Sequence, residues 1–140
     1  MSMIKGRTAS ENGRSVAICG AGIAGLVLAI RLAGKGERST VFEARSEAAI
    51  GSEGVFLTLA PNGTNGLRAI GCLEAVKVNG ISTIGIEILN SRGKRLALAD
   101  QSDPERVFGA PSITIQRGRL AEILVAHARS AGVEIRFKCG

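Results

Sequence analysis

AICGAGIAGLVLAIRLAGKGERSTVFEAR, residues 17 to 45, decides the fold. Together with Ser15 and Val16 it opens on SVAIC, a short apolar, β-branched run of the kind expected for a strand buried on both faces. Cys19 then reads as core filler. Gly20, Gly22 and Gly25 follow, spaced G-x-G-x-x-G. A helix comes next, with Leu26, Val27, Ile30 and Leu32 among its apolar positions, and Gly34 and Gly36 stop it. STVFEA, Ser39 to Ala44, is a second strand. Strand, helix and strand within about 30 residues make one βαβ unit, which implies parallel neighbouring strands and a right-handed crossover.

The glycines have a chemical reading. A dinucleotide's pyrophosphate is anionic and suits the N-terminus of a helix, where unpaired N–H groups and the positive end of the macrodipole face it. Gly20 lets the chain turn sharply out of the strand, Gly22 leaves room for phosphate against the backbone, and Gly25 lets helix and strand pack closely. Gly20, Ala21, Gly22, Ile23, Ala24 and Gly25 are therefore candidate cofactor-binding residues. Glu43 falls 18 residues after Gly25, at the end of the second strand. That is close to the roughly 20 expected of a carboxylate accepting hydrogen bonds from a ribose diol. A glutamate repels a 2′-phosphate, so the bound dinucleotide is FAD or NAD rather than NADP, and spacing does not choose between those two. The competing reading is a structural βαβ turn without a ligand.

The rest of the chain extends an α/β pattern. Residues 1–14 are polar, lack periodicity and read as a flexible leader. GVFLTLA, from Gly54, is a strand-like stretch or loop, with a helix beginning near Pro61. Ile81 to Asp100 forms two alternating runs about Asn90-Ser91-Arg92-Gly93, a hairpin with Gly93 suited to a left-handed turn position. Gln101 to Gly109 reads as polar loop. Ile113 to Gln116 is a short strand feeding a helix from Arg117 to Ser130, whose stripe is Leu120, Ile123, Leu124, His127 and Ala131. VEIRFK is a last strand.

Composition narrows the function. With 45% hydrophobic and 21% charged residues, the 140-residue chain is globular in type. Its longest uncharged run, Ser15 to Ile30, is 16 residues, short of the roughly 20 a membrane span needs. The net charge of +6 is scattered, never as a block of five cations, and there is no Trp or Tyr to stack on bases. Nucleic acid is not an expected partner. The diffuse positive charge suits an anionic cofactor instead. Cys19, Cys72 and Cys139 make an odd count without a CxxC pair, so they read as reduced thiols in a cytoplasmic protein, with neither a disulfide framework nor a metal site.

GAGIAGLVLAIRLAGKG…VFEAR, then GVFLTLAPNGTNGLRAIG, then ITIQRGRLAEIL, resembles the N-terminal part of the single-component FAD-dependent aromatic hydroxylases. This group includes p-hydroxybenzoate and salicylate hydroxylases and tetracycline-inactivating monooxygenases. The resemblance runs from Ser15 to Lys138. It implies a Rossmann-like βαβ FAD-binding domain of the glutathione-reductase type, incomplete here, with the start of an antiparallel substrate-side sheet. It implies a βαβ segment with a flavin-side loop over 15–80, the hairpin and loop of the substrate-side sheet over 81–112, and a return strand–helix–strand over 113–140. FAD is expected to be tightly bound, NADPH or NADH to serve as transient electron donor, and a small aromatic molecule to be hydroxylated with O₂.

By the same resemblance the glycine loop holds the pyrophosphate and Glu43 the adenosine ribose, with Ala44 and Arg45 beside it. Gly51 and Gly54 correspond to the loop near the isoalloxazine. Arg117 matches the arginine of an R-x-x-L element and would reach towards the flavin's phosphate-sugar linker as a fixed cationic fork, with Arg119 as its competitor. No catalytic acid or base is expected in this segment, since the cofactor carries the hard step. His127, the sole histidine, reads as a packed residue. The family's DG and GD segments would follow VEIRFK, so the chain reads as truncated after residue 140, and alone as inactive and binding FAD weakly or not at all. A halogenase or prenyl-lipid reductase relative, or a non-catalytic dinucleotide-binding module, are the alternatives. Substrate identity, donor and oligomeric state are not legible.

Overall fold

The computed structural model describes residues 15–52, 54–100 and 104–139. The leader at 1–14 lies outside the described residues. In chain order the elements are β1 (Val16–Cys19), α1 (Ile23–Ala33), β2 (Ser39–Glu43), α2 (Glu47–Ser52), β3 (Phe56–Leu59), α3 (Pro61–Arg68), α4 (Leu73–Asn79) and β4 (Ile81–Ser82). There follow β5 (Gly85–Leu89), β6 (Arg95–Asp100), α5 (Pro104–Phe108), β7 (Ile113–Gln116), α6 (Arg117–Ser130) and β8 (Glu134–Phe137). The chain divides into two compact units, 1–46 with 125–140, and 47–124.

The first unit is built on a parallel sheet in the order β1-β2-β8. Val16 pairs with Ser39 and Cys19 with Phe42, and on the other side of β2 Glu43 pairs with Phe137. The strands alternate, and α1 packs on β1 and β2. Ile18, Val41 and Glu43 are buried on one face. Ala17, Cys19, Glu134 and Arg136 are exposed on the other, among the described residues. This corrects two expectations. SVAIC is not buried on both faces, and Cys19 is exposed rather than core filler. The cause is the period of two, which sends Cys19 to the face opposite Ile18. In α1 the buried positions are Leu26, Ala29 and Ile30, with Val27 and Leu32 half-buried at the margins.

The second unit holds two antiparallel sheets. One has the order β3-β7-β4, pairing Phe56 with Gln116 and Ile81 with Thr114. Its buried core includes Ile113, Ile115, Leu67, Leu73 and Val76, against which α3 and α4 pack. On its other side the hydroxyls of Thr58, Thr114 and Thr83 form a chain, at 2.8 and 2.7 Å. The second sheet is the β5–β6 hairpin, whose turn is stitched by Asn90 Oδ1 accepting from the N–H groups of Arg92 and Lys94. Ile81 and Ser82 do not start that hairpin, as expected from their alternation, but pair with β7. Gly80 explains the break: a Cβ there would lie 2.4 Å from Ile113, so only glycine brings the chain this close to β7.

Two further expectations change. The polar stretch at 101–109 contains α5, with Pro104 in its first turn and Glu105 favourably placed near the positive helix end. Gln101 to Asp103 lie outside the described residues. In α6 the buried residues are Gly118, Leu120, Ala121, Leu124, Val125 and Ala128. Ile123 and His127 are half-buried, and Ala131 is exposed. Ala121, Val125 and Ala128 join Leu120 and Leu124 on the buried side, which is therefore turned away from Ile123, His127 and Ala131. Among the described residues, no helix is long and apolar enough to cross a membrane, and no group of three metal-binding side chains is present.

Leu26 is fully buried on α1 while Leu28 on the same helix is 48% exposed. Leu26→Ala is expected to cost about 2–5 kcal/mol, and Leu28→Ala to stay within about 0.5 kcal/mol, in denaturant unfolding. Equal losses at the two positions would overturn this packing of α1.

Candidate functional site

The glycine loop is shaped by two constraints. Gly20 sits at φ +98°, a left-handed conformation open to glycine, and its N–H still donates to Phe42 O at 2.7 Å. Gly25 lies so close to the end of β1 that an added Cβ would be 2.2 Å from Gly20 O. Its lack of a side chain sets the approach of α1 to the strand. Between them Ala21 is fully buried, and Gly22 is the helix N-cap with extended backbone.

That helix start is electrically incomplete. Gly22 has no side chain to cap it, and the first turn carries no acidic residue. The first α-helical bond runs from Leu26 N–H to Gly22 O, so the preceding N–H groups have no acceptor from the helix ladder. A Cβ built on Gly22 would meet nothing within 4 Å. N–H groups without a helix-ladder acceptor, a positive dipole end and open space meet here, an arrangement that would suit an anion. Ile23 and Ala24 begin the helix there, half-buried and exposed respectively.

Glu43 ends β2 with only 4% of its surface exposed. Its Oε2 accepts from the Ala21 N–H at 2.8 Å, which ties the strand end to the glycine loop. Its Oε1 accepts from the Arg45 backbone N–H at 3.0 Å and from Arg45 Nε at 2.8 Å. Arg45 Nη2 lies 3.5 Å from Oε2. The Arg45 side chain, the backbone N–H groups of Arg45 and Ala21, and the arginine's charge together outweigh burial and pull the Glu43 carboxyl down to about 2. A buried carboxylate held ionised beside an anion cradle is equipped to accept from hydroxyl groups. The first unit thus brings together Gly20 to Gly25 with Glu43, Ala44 and Arg45. The sequence did not reveal the hydrogen bonds that occupy Glu43; the E-x-R spacing was the only trace of them.

The remaining candidates lie in the second unit. Gly54, at φ +100°, packs under the side chain of Arg117: an added Cβ would be 3.0 Å from Arg117 Cβ and 3.1 Å from its Cδ. The Arg117 N–H donates to Val55 O at 3.1 Å, and the residue is exposed. Gly54 and Arg117 are therefore neighbours, which their distance in sequence conceals. Arg119 is engaged differently, with Nε and Nη2 donating to Asn79 Oδ1 at 2.9 and 2.7 Å and Nη1 to Glu122 at 2.8 Å. Gly51 packs against that same Glu122. The competitor to Arg117 is thus tied to α4 and to its own helix.

Because the Glu43 carboxyl titrates lower when folded, its stabilisation is complete above the ordinary value of 4.5 and is lost as pH falls towards about 2. The difference in urea midpoint between wild type and Glu43→Gln is expected to be constant from pH 8 to about 5, then to shrink on acidification. A difference that grows below about pH 4 would contradict the paired, ionised carboxylate.

The family described as FAD binding domain matches residues 14–139. The aurachin C monooxygenase/isomerase of Stigmatella aurantiaca is 35% identical over 114 residues, covering 81% of this chain and 29% of that protein. The 3-hydroxybenzoate 6-hydroxylase 1 of Aquipseudomonas alcaligenes is 34% identical over 125 residues, covering 87% and 31%. A crystal structure of a mutant 2-methyl-3-hydroxypyridine-5-carboxylic acid oxygenase superposes with a TM-score of 0.75 at 27% identity, over 89% of this chain and 31% of that one. The chain spans about a third of the length of each of these proteins. Matched over nearly its whole length, this α/β chain belongs to the FAD binding domain family and has the FAD-binding fold of the flavoprotein monooxygenases.

Proposed function

We propose that the chain is the FAD-binding N-terminal portion of a flavin-dependent monooxygenase that hydroxylates an aromatic or polyketide-like small molecule with NAD(P)H and O₂. The observation that carries the proposal is the uncapped start of α1 over a glycine loop, with a buried carboxylate bonded to that loop. In this reading β1, α1 and β2 form the Rossmann-like unit of a glutathione-reductase-type domain. Segments 15–80 and 113–140 serve the cofactor, and 81–112 starts the substrate-side sheet. The three free cysteines support a cytoplasmic setting.

The residues present fit FAD. The open space at Gly22 accommodates a phosphate, and the N–H groups of the first turn donate to it. Glu43 receives the adenosine ribose hydroxyls, with Ala44 and Arg45 alongside. In the second unit Arg117, backed by Gly54, presents an always-charged fork suited to an anionic phosphate-sugar group. When bound, FAD supplies the redox chemistry, taking electrons from NADH or NADPH and passing them to O₂. The chain's own part is to bind, orient and neutralise charge, and no proton transfer is assigned to its side chains.

The full-length parent protein, purified and incubated with FAD, is expected to quench flavin fluorescence on binding. Gly22→Val, which fills the cradle, should weaken that binding by at least about tenfold. Wild type that leaves flavin fluorescence unchanged would defeat the cofactor assignment. In the full-length parent protein carrying FAD, phenolic compounds should stimulate NAD(P)H oxidation; bound flavin without that response would favour halogenase- or reductase-type chemistry.

A further inference from the structure

Asparagine is followed by glycine at four places in the chain, 12–13, 62–63, 65–66 and 79–80. The first lies outside the described residues. In such a pair the glycine nitrogen can attack the asparagine side-chain carbon. The N–Cγ bond forms, the Cγ–Nδ2 bond breaks, and ammonia leaves carrying the amide proton. Water then opens the five-membered imide at either carbonyl, giving aspartate or isoaspartate with no change of oxidation state. Glycine suits the step because no Cβ crowds the closing ring. The sequence treats these pairs alike, but the fold does not.

The carboxamides of Asn65 and Asn79 are held at both ends. Asn65 Nδ2 donates to Phe108 O at 3.0 Å, and its Oδ1 accepts from Arg68 Nη1 at 2.8 Å. Asn79 Nδ2 donates to Ala75 O at 2.8 Å, and its Oδ1 accepts from Arg119 Nε and Nη2 at 2.9 and 2.7 Å. Asn62 differs from both. It is exposed, and its Oδ1 accepts from the Gly63 N–H at 2.8 Å. The carbon to be attacked is thus one bond from an atom that already touches the nucleophile. Among the described residues nothing accepts from Asn62 Nδ2, the group that must leave. The Gly63 N–H also donates to Ala60 O at 2.9 Å, but this bond belongs to the opening turn of α3, where fraying costs least. Gly66 lies further inside the same helix.

We infer that Asn62 is a site of spontaneous deamidation, chosen by the fold over Asn65 and Asn79, with water as the co-reactant. The product carboxylate stands in the first turn of α3, which otherwise carries no acidic residue, in the wall of an open cleft shared with Pro61, Asn65 and Phe108. The isoaspartate form adds a backbone atom just ahead of Thr64, whose hydroxyl donates to Pro111 O at 2.8 Å. It therefore loosens the hold of α3 on the chain that leads into β7. The chemistry is independent of any cofactor.

The test incubates the full-length parent protein in mildly alkaline buffer, digests it, and quantifies aspartate and isoaspartate at the three pairs by fragmentation mass spectrometry. Asn62 is expected to convert at least about tenfold faster than Asn65 or Asn79. In protein unfolded by urea that spread should collapse, since the fold creates it. Gly63→Ala should slow the Asn62 step at least about tenfold, because its methyl crowds the imide. That methyl makes only ordinary contact in the fold, with Leu59 Cδ2 at 3.7 Å. Gly66→Ala, whose Cβ would meet nothing within 4 Å, should leave the Asn62 rate unchanged. Similar rates at the three pairs in the folded protein would overturn the assignment. So would a ranking that survives in urea, or a Gly63→Ala protein that converts at the wild-type rate. Should Gly63→Ala fail to fold, the comparison of folded and urea-unfolded wild type decides alone.

Discussion

The N–H of Ala21 donating to the carboxylate of Glu43 is the bond on which the first unit's site depends. It joins the loop leaving β1 to the end of β2, across 22 positions of sequence, in a buried setting. The loop can lie there because Gly25 lets α1 come against the end of β1, where a methyl group would collide with Gly20 O. The carboxylate can stay ionised there because Arg45 and two N–H groups offset its burial. Remove any of these and the others lose their reason: a helix start facing nothing, or a charge without a partner.

How far this was legible depended on the range of the interactions. The βαβ unit is local, and its punctuation by glycine is a direct steric matter, so Gly20, Gly22, Gly25 and Glu43 could be named from spacing. The short runs at β7 and β8 were likewise read as strands. What escaped was decided by neighbours far along the chain. Cys19 lies on the open face because Ile18 is the residue that packs inwards, a choice of face that a run of five apolar or small residues does not encode. Ile81 and Ser82 continue the hairpin's pattern, yet they pair with β7, since Gly80 lets the chain pass closely beneath Ile113. In α6 the alanines at 121 and 128 are buried where larger side chains seemed the better candidates. Periodicity marks the apolar positions of a helix but not how tightly each side is packed.

The two arginines of the R-x-R sequence at 117–119 illustrate the same point in the second unit. Composition gives them equal standing. Geometry divides them, with Arg119 spent on Asn79 and Glu122 and Arg117 laid over Gly54. A glycine some sixty positions earlier is what gives the Arg117 stem a flat surface on which to rest. The pairing of Gly54 with Arg117 had no signature in either segment alone, though each was singled out separately.

The β5–β6 ribbon carries an implication of its own. Ile86, Ile88 and Leu89 on one strand and Leu96 and Leu98 on the other are each about half exposed, and the two strands are joined by their cross-strand backbone bonds and the exposed Arg95–Glu87 pair. Opening it uncovers little apolar surface that water does not already reach. Its backbone amides should therefore trade protons with solvent through small local excursions, while those of β2, flanked on both sides, wait for wholesale unfolding. The chain is thus graded in tenacity: firm at β2, loose along the ribbon.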